Sequence, residues 1–509
     1  MFNELRTRLQ SFKLDEGLIF LNYVHQATHK QGIDEFIYNF AQENPGTITD
    51  FKIEFLSKWL IIESAFTSSS ILAPATLNWD NFLQIIQLFD QIDDPITRDP
   101  DFQNRNPVEV FIRLAYQQLP GQQRIPLQHF GSAYLIFQEA AARVAGSIGY
   151  DLPARFQQIS QLSIQEFMQL GFLFFSAGAG QQMRQGLVDQ AWLNTARGQG
   201  VGLLTEENVE HFLALASSNH ETFRQIAAQP LHQVADPNYI LYEFNPLKKS
   251  PLIQIREDRW VAPNPDLIVD RVTWGIYYDL LDADGTGFTE RFGRHIFEEY
   301  IGDLLKSVYP DTNIHRERVY GHPERRGPAD WVIVEDNVAI FVECKSLIPN
   351  LGFVSIADQT AIEQYANRVA NAVQQTVGHI AEIQAGEPAL QDFADHDSRI
   401  IILTFGQIQT VNTVFFQPEI ESILSAQGIG TPQYVVFSLQ EFEHLLSLVE
   451  RGVTLVDILD RFRNEPLGEA LEPYGDMLAD NALPSLVARK GRELIDTFRL
   501  SRRPHGDDQ

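Results

Sequence analysis

The sequence predicts a multidomain chain, an α-helical N-terminal region followed by an α/β region whose elements run α-β-β-β-α-β. Three observations predict it. Apolar residues recur at three- and four-residue spacing through the first 240 or so residues, as in amphipathic helices. From about residue 283 helical and strand-like segments alternate. Within that part, ADWVIVEDNVAIFVECKS (329–346) has two apolar runs around a short polar turn, the pattern of a hairpin. The chain has 509 residues, too many for one core at roughly 100–200 residues per domain.

In chain order, LNYVHQATHKQGIDEFIYNFAQ, NFLQIIQLFDQI, VEVFIRLAYQQL and SAYLIFQEAAARVAGSI read as helices, separated by the breakers ENPGT, DDPITRDPD and LPGQQRIP. Residues 1–240 are assigned to this helical region, with a role in recognition or regulation. Residues 241–282 connect: Leu252–Ile255 and Arg259–Ala262 flank Glu257-Asp258 as a small hairpin, and DLIVDRVTWGIYYDLLD reads as a helix. The α/β region, 283–464, opens with the helix FTERFGRHIFEEYIGDLLKSV. A strand at Ile314–Tyr320, the quoted hairpin, a long helix over 357–383 and the strand RIIILTF follow. A helix at Pro418–Ala426, the strand QYVVFSL and two helices, EFEHLLSLV and TLVDILDRF, are appended. Residues 465–509 form an extension carrying Arg489, Lys490, Arg492, Arg499, Arg502 and Arg503.

Composition narrows the function. The 44% hydrophobic and 21% charged fractions are those of a globular protein. The N-terminus lacks the apolar run of a signal peptide, and the most apolar stretch, GFLFFSAGAG, is too short to span a bilayer, so a cytoplasmic location is expected. A net charge of −28 disfavours general coating of nucleic acid: any such site is a local basic patch, or the bulk acidity serves to limit non-specific binding. Cys344 is the single cysteine, which excludes disulfides within the chain and cysteine-based zinc sites.

The hairpin concentrates the chemistry. Asp336-Asn337 suits a two-residue turn, since both residue types tolerate positive φ. Counting outward pairs Glu335 with Val338, Val332 with Phe341, and Asp330 with Glu343, the last about 4.5–5.5 Å apart at Cβ. Alternation puts Lys345 on the face of Glu343 and turns Cys344 into the apolar layer with Trp331, Val342, Ile333 and Ile340, where a thiol is inert. Two carboxylates this close repel unless a cation joins them. Carboxylate oxygens are hard ligands suited to Mg²⁺, and a metal beside an ammonium group suits phosphodiester hydrolysis.

These residues resemble the PD-(D/E)xK nuclease superfamily, the restriction endonuclease-like proteins with an αβββαβ core. The signature is Pro328-Ala329-Asp330, twelve residues, then Glu343-Cys344-Lys345, with the proline two positions before the aspartate rather than adjacent. The resemblance spans about 283–445. It implies that Asp330, Glu343 and the backbone carbonyl of Cys344 bind Mg²⁺ or Mn²⁺ and that Lys345 assists the water nucleophile. It also implies a further acid from the first core helix, Glu298 with Glu299 second, and a glutamine after the ExK strand, Gln364, with Tyr365 beside it. Arg316, Arg318, Arg325 and Arg326, just before Asp330, are the candidate phosphate contacts. The function expected is a Mg²⁺-dependent endonuclease acting on DNA more than RNA. The helical module is taken to bind a partner protein or a second copy, an architecture similar to bacterial restriction and antiphage-defence proteins. The alternative is a non-catalytic nucleic-acid-binding or scaffold protein acting through its helical half.

Other chemistries find no support. LDADGTGFTE starts like a calcium loop, but its twelfth position is Gly293. There is no GxxxxGK[ST] and no GxSxG. The 13 histidines show no HExxH and read as having no paired metal spacing.

Overall fold

The computed structural model describes residues 1–64, 75–92, 112, 129–179, 187–199, 201–229, 240–241, 243–320, 325–350, 353, 359–408, 411–413, 416–430, 432–464, 471–478 and 483–500. The expected helix VEVFIRLAYQQL and residues 501–509 lie outside the described residues, apart from Ile112. Helices dominate the N-terminal part, and mixed sheets enter towards the C-terminus.

The first expected helix is two, Leu14–His29 and Glu35–Glu43. The first ends at His29 with Lys30 already extended, Gly32 takes a left-handed φ of 96° in the turn that follows, and the Asp34 side chain accepts the Phe36 and Ile37 N–H groups to start the next. Similarly, 266–282 divides into Asp266–Val272 and Gly275–Asp284 at Thr273. Four short strands form a first sheet: β1 (Leu187–Asp189), β2 (Ser217–Asn219), β3 (Leu252–Arg256) and β4 (Arg259–Val261), in the order β1-β4-β3-β2. The β3–β4 hairpin matches the sequence expectation; β1 and β2, at three residues each, are too short to carry an alternation signal.

The second sheet holds the motif. Its strands are β5 (Ile314–Tyr320), β6 (Arg325–Glu335), β7 (Val338–Lys345), β8 (Asp397–Thr404) and β9 (Tyr434–Ser438), in that spatial order. β5, β6 and β7 are antiparallel, whereas β7, β8 and β9 are parallel. The helix Glu298–Val308 precedes β5, Gln359–Gln384 joins β7 to β8, and Gln417–Ala426 joins β8 to β9. This is the element order read from the sequence.

Apolar side chains cover both faces of the β6–β7 hairpin. Trp331, Ile333, Ile340, Val342 and Cys344 share a core with Tyr300, Ile301, Leu304 and Leu305 of the Glu298–Val308 helix. Val332, Ala339 and Phe341 face Ile383, Leu390 and Phe393. Gly302 permits the close seating of the Trp331 indole, because any Cβ there would collide with the ring. Six large apolar residues buried at about 1.5–3 kcal/mol each exceed the several kcal/mol that a buried charge costs. The hairpin can therefore hold ionisable groups at its end.

The cores do not divide at residue 240. Phe130, Phe156, Phe167, Phe174 and Phe212 share one continuous core with the C-terminal sheet. Residues from Leu5 to Phe89 pack separately, with Phe223, Leu247, Ile253, Val261 and Leu267. The C-terminal extension includes a helix, Ser485–Leu500, that contributes Val487, Leu494 and Phe498 to the larger core. Its Lys490 pairs with Glu139 at 2.8 Å and Glu493 at 3.1 Å, so it is held by acids rather than standing free for phosphate.

Candidate active site

The turn falls at Asp336-Asn337, with Glu335 paired to Val338, but only Asp336 takes a left-handed φ, 48°. The ladder runs outward to Trp331 opposite Val342 and ends there. The expected direct Asp330–Glu343 strand pair does not form, because β6 bulges. Arg316 of β5 faces Trp331 and Arg318 faces Gly327, so Pro328, Ala329 and Asp330 together stand opposite the single residue Glu317. The bulge re-aims Asp330 across the strand: its Oδ2 accepts the backbone N–H of Cys344 at 2.7 Å. Asp330 thus reaches β7 at the residue next to Glu343, through this bond instead of a ladder rung.

Lys345 and Glu343 share a face, as alternation requires, and Lys345 Nζ lies 2.6 Å from Glu343 Oε1. Glu343 is buried and Lys345 half-buried. Cys344 is buried in the apolar layer, and burial drives its thiol pKa well up, which fits an inert side chain.

Glu298 reaches the group from the first core helix. A π-helical stretch, Phe292–Phe297, leads into it, and Gly293 lets this helix pass over the end of β7: a Cβ there would lie 2.5 Å from Ser346 Oγ. The Trp331 indole N–H donates to the Glu298 carbonyl at 3.0 Å and fixes the register. Glu299, the second choice, turns away to Arg316 at 3.2 Å and Arg143 at 3.6 Å.

The electrostatics follow from too many acids in a dry place. Burial raises the Glu298 carboxyl pKa far above the ordinary range, and the charges of Asp330, Glu317 and Glu343 add to it. Burial and the Glu343 charge likewise raise Asp330, opposed by the Cys344 N–H and Lys345. Burial works against the Lys345 ammonium, but the Glu343 carboxylate outweighs it and raises the lysine pKa. Glu317, half-buried on β5, is an acid that the sequence reading did not assign to the site; it stands between two arginines and counted only as one of the few acids of a basic stretch.

Gln364 does not join these residues. It is exposed, and the glutamine that reaches the site is Gln375, whose Oε1 lies 3.3 Å from Lys345 Nζ. The two are eleven residues apart, which brings them to nearly the same helix face about three turns, or about 16 Å, apart. The sequence reading found the right face and the wrong turn. Tyr365 packs elsewhere, accepting the Asn350 N–H at 2.8 Å and donating to the Ile348 carbonyl.

Two of the four expected phosphate contacts are engaged by acids. Arg316 bonds Glu299 and lies over the Trp331 ring, 5.5 Å from its centroid. Arg318 holds Asp392 at 2.8 Å and the Ala389 carbonyl at 3.0 Å. Arg325 and Arg326 lie on β6 opposite Tyr320 and Val319, and their side chains lie outside the described residues.

The carboxylates of Asp330, Glu343 and Glu298 do not bring one oxygen each within 4.8 Å of one another; among the described residues that closeness is met by His25, His29 and Asp50. The signal was present as HQATH, two histidines one helical turn apart, and it overturns the reading that no paired spacing exists. Among the described residues no helix is long and apolar enough to cross a membrane. Comparison with protein-family models, curated proteins and solved structures finds no match for this chain.

Proposed function

We propose that the α/β region is a Mg²⁺-dependent nuclease with a restriction endonuclease-like core, hydrolysing phosphodiester bonds in DNA ahead of RNA. One observation carries the reading. Asp330, Glu343 and Glu298 converge at the end of a buried hairpin with less positive charge than they need, and Lys345 stands among them. The donors fit the ion: the side-chain ligands are hard carboxylate oxygens, and the raised pKa values of Glu298 and Asp330 mark the missing positive charge. Asp330, Glu343, Glu298 and the Cys344 carbonyl would hold it. When bound, Mg²⁺ or Mn²⁺ supplies polarisation of the phosphodiester and acidification of a coordinated water.

The chain's own groups do the rest. The Cys344 N–H orients Asp330. Lys345, on the face of Glu343, is placed to steady a hydroxide or the charge that develops on phosphorus-bound oxygen. Gln375 positions the lysine. The N-terminal helices would select the substrate or bind a partner protein or a second copy, an arrangement akin to restriction and antiphage-defence proteins.

A second reading, a non-catalytic nucleic-acid-binding or scaffold protein, draws on the pairing of Arg316 and Arg318 with acids, which takes both from the expected phosphate contacts. Incubation with supercoiled plasmid, single-stranded DNA and RNA, in Mg²⁺, Mn²⁺ or EDTA, separates the two. Metal-dependent cutting that disappears in Lys345→Ala with folding intact supports the nuclease. No cutting of any substrate, together with no Mn²⁺ binding that Asp330→Asn removes, supports the scaffold.

A further inference from the structure

A second cluster lies far along the chain from the hairpin. His25 and His29 sit one turn apart on the helix Leu14–His29, and Asp50 opens the helix Asp50–Glu63. Asp50 Oδ1 is 2.7 Å from His29 Nε2 and 3.4 Å from His25 Nε2. His25 is 4% exposed, and neither of its ring nitrogens has a well-formed hydrogen bond. A buried imidazole left this way is uncommon and asks for a partner. One ligand atom from each of the three residues falls within 4.8 Å of the others.

We propose that His25, His29 and Asp50 bind one divalent ion of the Zn²⁺ class. Two imidazoles and one carboxylate suit a borderline cation better than Mg²⁺, which prefers oxygen alone. Metal–ligand bonds of about 2.0–2.2 Å in a tetrahedron separate ligand atoms by about 3.4 Å, the observed His25–Asp50 spacing. The shorter His29–Asp50 contact is a hydrogen bond whose proton the ion displaces. Asp266 Oδ2, 3.9 Å from His25 Nε2, completes the surroundings on one side. Lys30 lies close by and donates to the Ala179 carbonyl at 3.0 Å. The His29 side chain is 48% exposed, whereas those of His25 and Asp50 are 5% and 4%, so the site has an open mouth and a buried floor.

The cluster joins elements distant in sequence. Beside it, Asn22 donates to the Ala262 carbonyl at 2.6 Å, and Asn264 donates to Glu54 at 2.8 Å. An ion here would fasten the helix Leu14–His29 to the helix Asp50–Glu63, beside the segment leading from β4.

The test uses the full chain, stripped with EDTA and dialysed. Zn²⁺ is titrated against a chromophoric chelator, Co²⁺ is followed by its d–d absorption, and bound metal is counted by mass spectrometry. The expected result is one tight Zn²⁺ site that persists in Asp330→Asn, which separates it from any ion held by the hairpin carboxylates. Affinity should rise with pH as protons leave the imidazoles. His29→Ala should weaken binding by more than the roughly 10–100-fold that loss of an outer partner costs. His29 is half-exposed, so the variant should keep its far-UV circular dichroism, and His29→Gln provides a second check. Identical Zn²⁺ titrations in wild type and both His29 variants, or a wild type that holds no Zn²⁺, would overturn the proposal and leave an ordinary hydrogen-bonded pair.

Discussion

The two charged clusters treat a buried carboxylate in opposite ways. At the end of β6 and β7, acids outnumber cations, and Asp330 and Glu298 are pushed towards their neutral forms. Beside the helix Leu14–His29, burial also opposes the charge of Asp50, but the two imidazoles beside it, His25 at 3.4 Å and His29 at 2.7 Å, overcome it and hold the carboxyl far below its usual range. His29 is raised in turn by its bond to Asp50. Depth is similar in both places; the balance of partners differs. A deficit of positive charge invites a hard cation, whereas the satisfied pair has to exchange a proton for its ion.

The largest expected effect lies in catalysis. Lys345→Ala should lower the cleavage rate about 10²–10³-fold, the cost of removing one aimed electrostatic group, with far-UV circular dichroism unchanged. Substitution of the two aspartates should then give stability changes of opposite sign. In EDTA, Asp50→Asn should cost about 1–3 kcal/mol in urea denaturation, because His29 loses a charged acceptor. In the same buffer at pH 8, Asp330→Asn should gain about 1 kcal/mol, because a repelled charge disappears. Shifts of the same sign would break the contrast.

Acidity distinguishes the clusters more gently. Asp330 and Glu298 have folded pKa values raised above their unfolded ones, so the stability they confer is full below about pH 4 and is lost as pH rises through the raised values. The His29–Asp50 pair contributes most between about pH 4 and 6.5. Its contribution falls in acid as Asp50 protonates at its depressed pKa and in base as His29 deprotonates at its raised one. Denaturation of the chelated protein across this range, with Asp330→Asn and His29→Gln each flattening its own limb, checks both signs. The smallest effect belongs to the long helix: Gln375→Ala should slow cutting a few-fold, and Gln364→Ala should leave it unchanged, as single-turnover rates would show.

Much of the α/β region was legible because its signals are local. β5 falls at Ile314–Tyr320 as expected, and the turn at Asp336-Asn337 set the hairpin register correctly as far as Trp331. Beyond Trp331 the reading broke down, since a bulge depends on the neighbouring strand and leaves no periodic trace. Gln375 was missed for a related reason: helical phase specifies a face, and distance along the axis depends on where the helix is anchored. Glu317 was hidden among arginines that turned to acids elsewhere. The course of the larger core across residue 240 was not legible, because amphipathic periodicity says that a face is buried and not against what.

The bulge has a consequence for mutational tolerance. Between the rungs Arg316–Trp331 and Arg318–Gly327, β6 spends two residues more than β5. Two is an even number, so the strand on either side keeps its inward and outward facing. Removing one residue from Pro328-Ala329 would reverse the facing of one flank, sending either Trp331 outward or the Arg325–Gly327 arm over. Removing both would keep the facing and straighten the strand, costing Asp330 its reach to Cys344. The segment is therefore constrained in parity as well as in composition, and in a library of length variants it should be far less forgiving of single-residue deletions than of substitutions at Ala329.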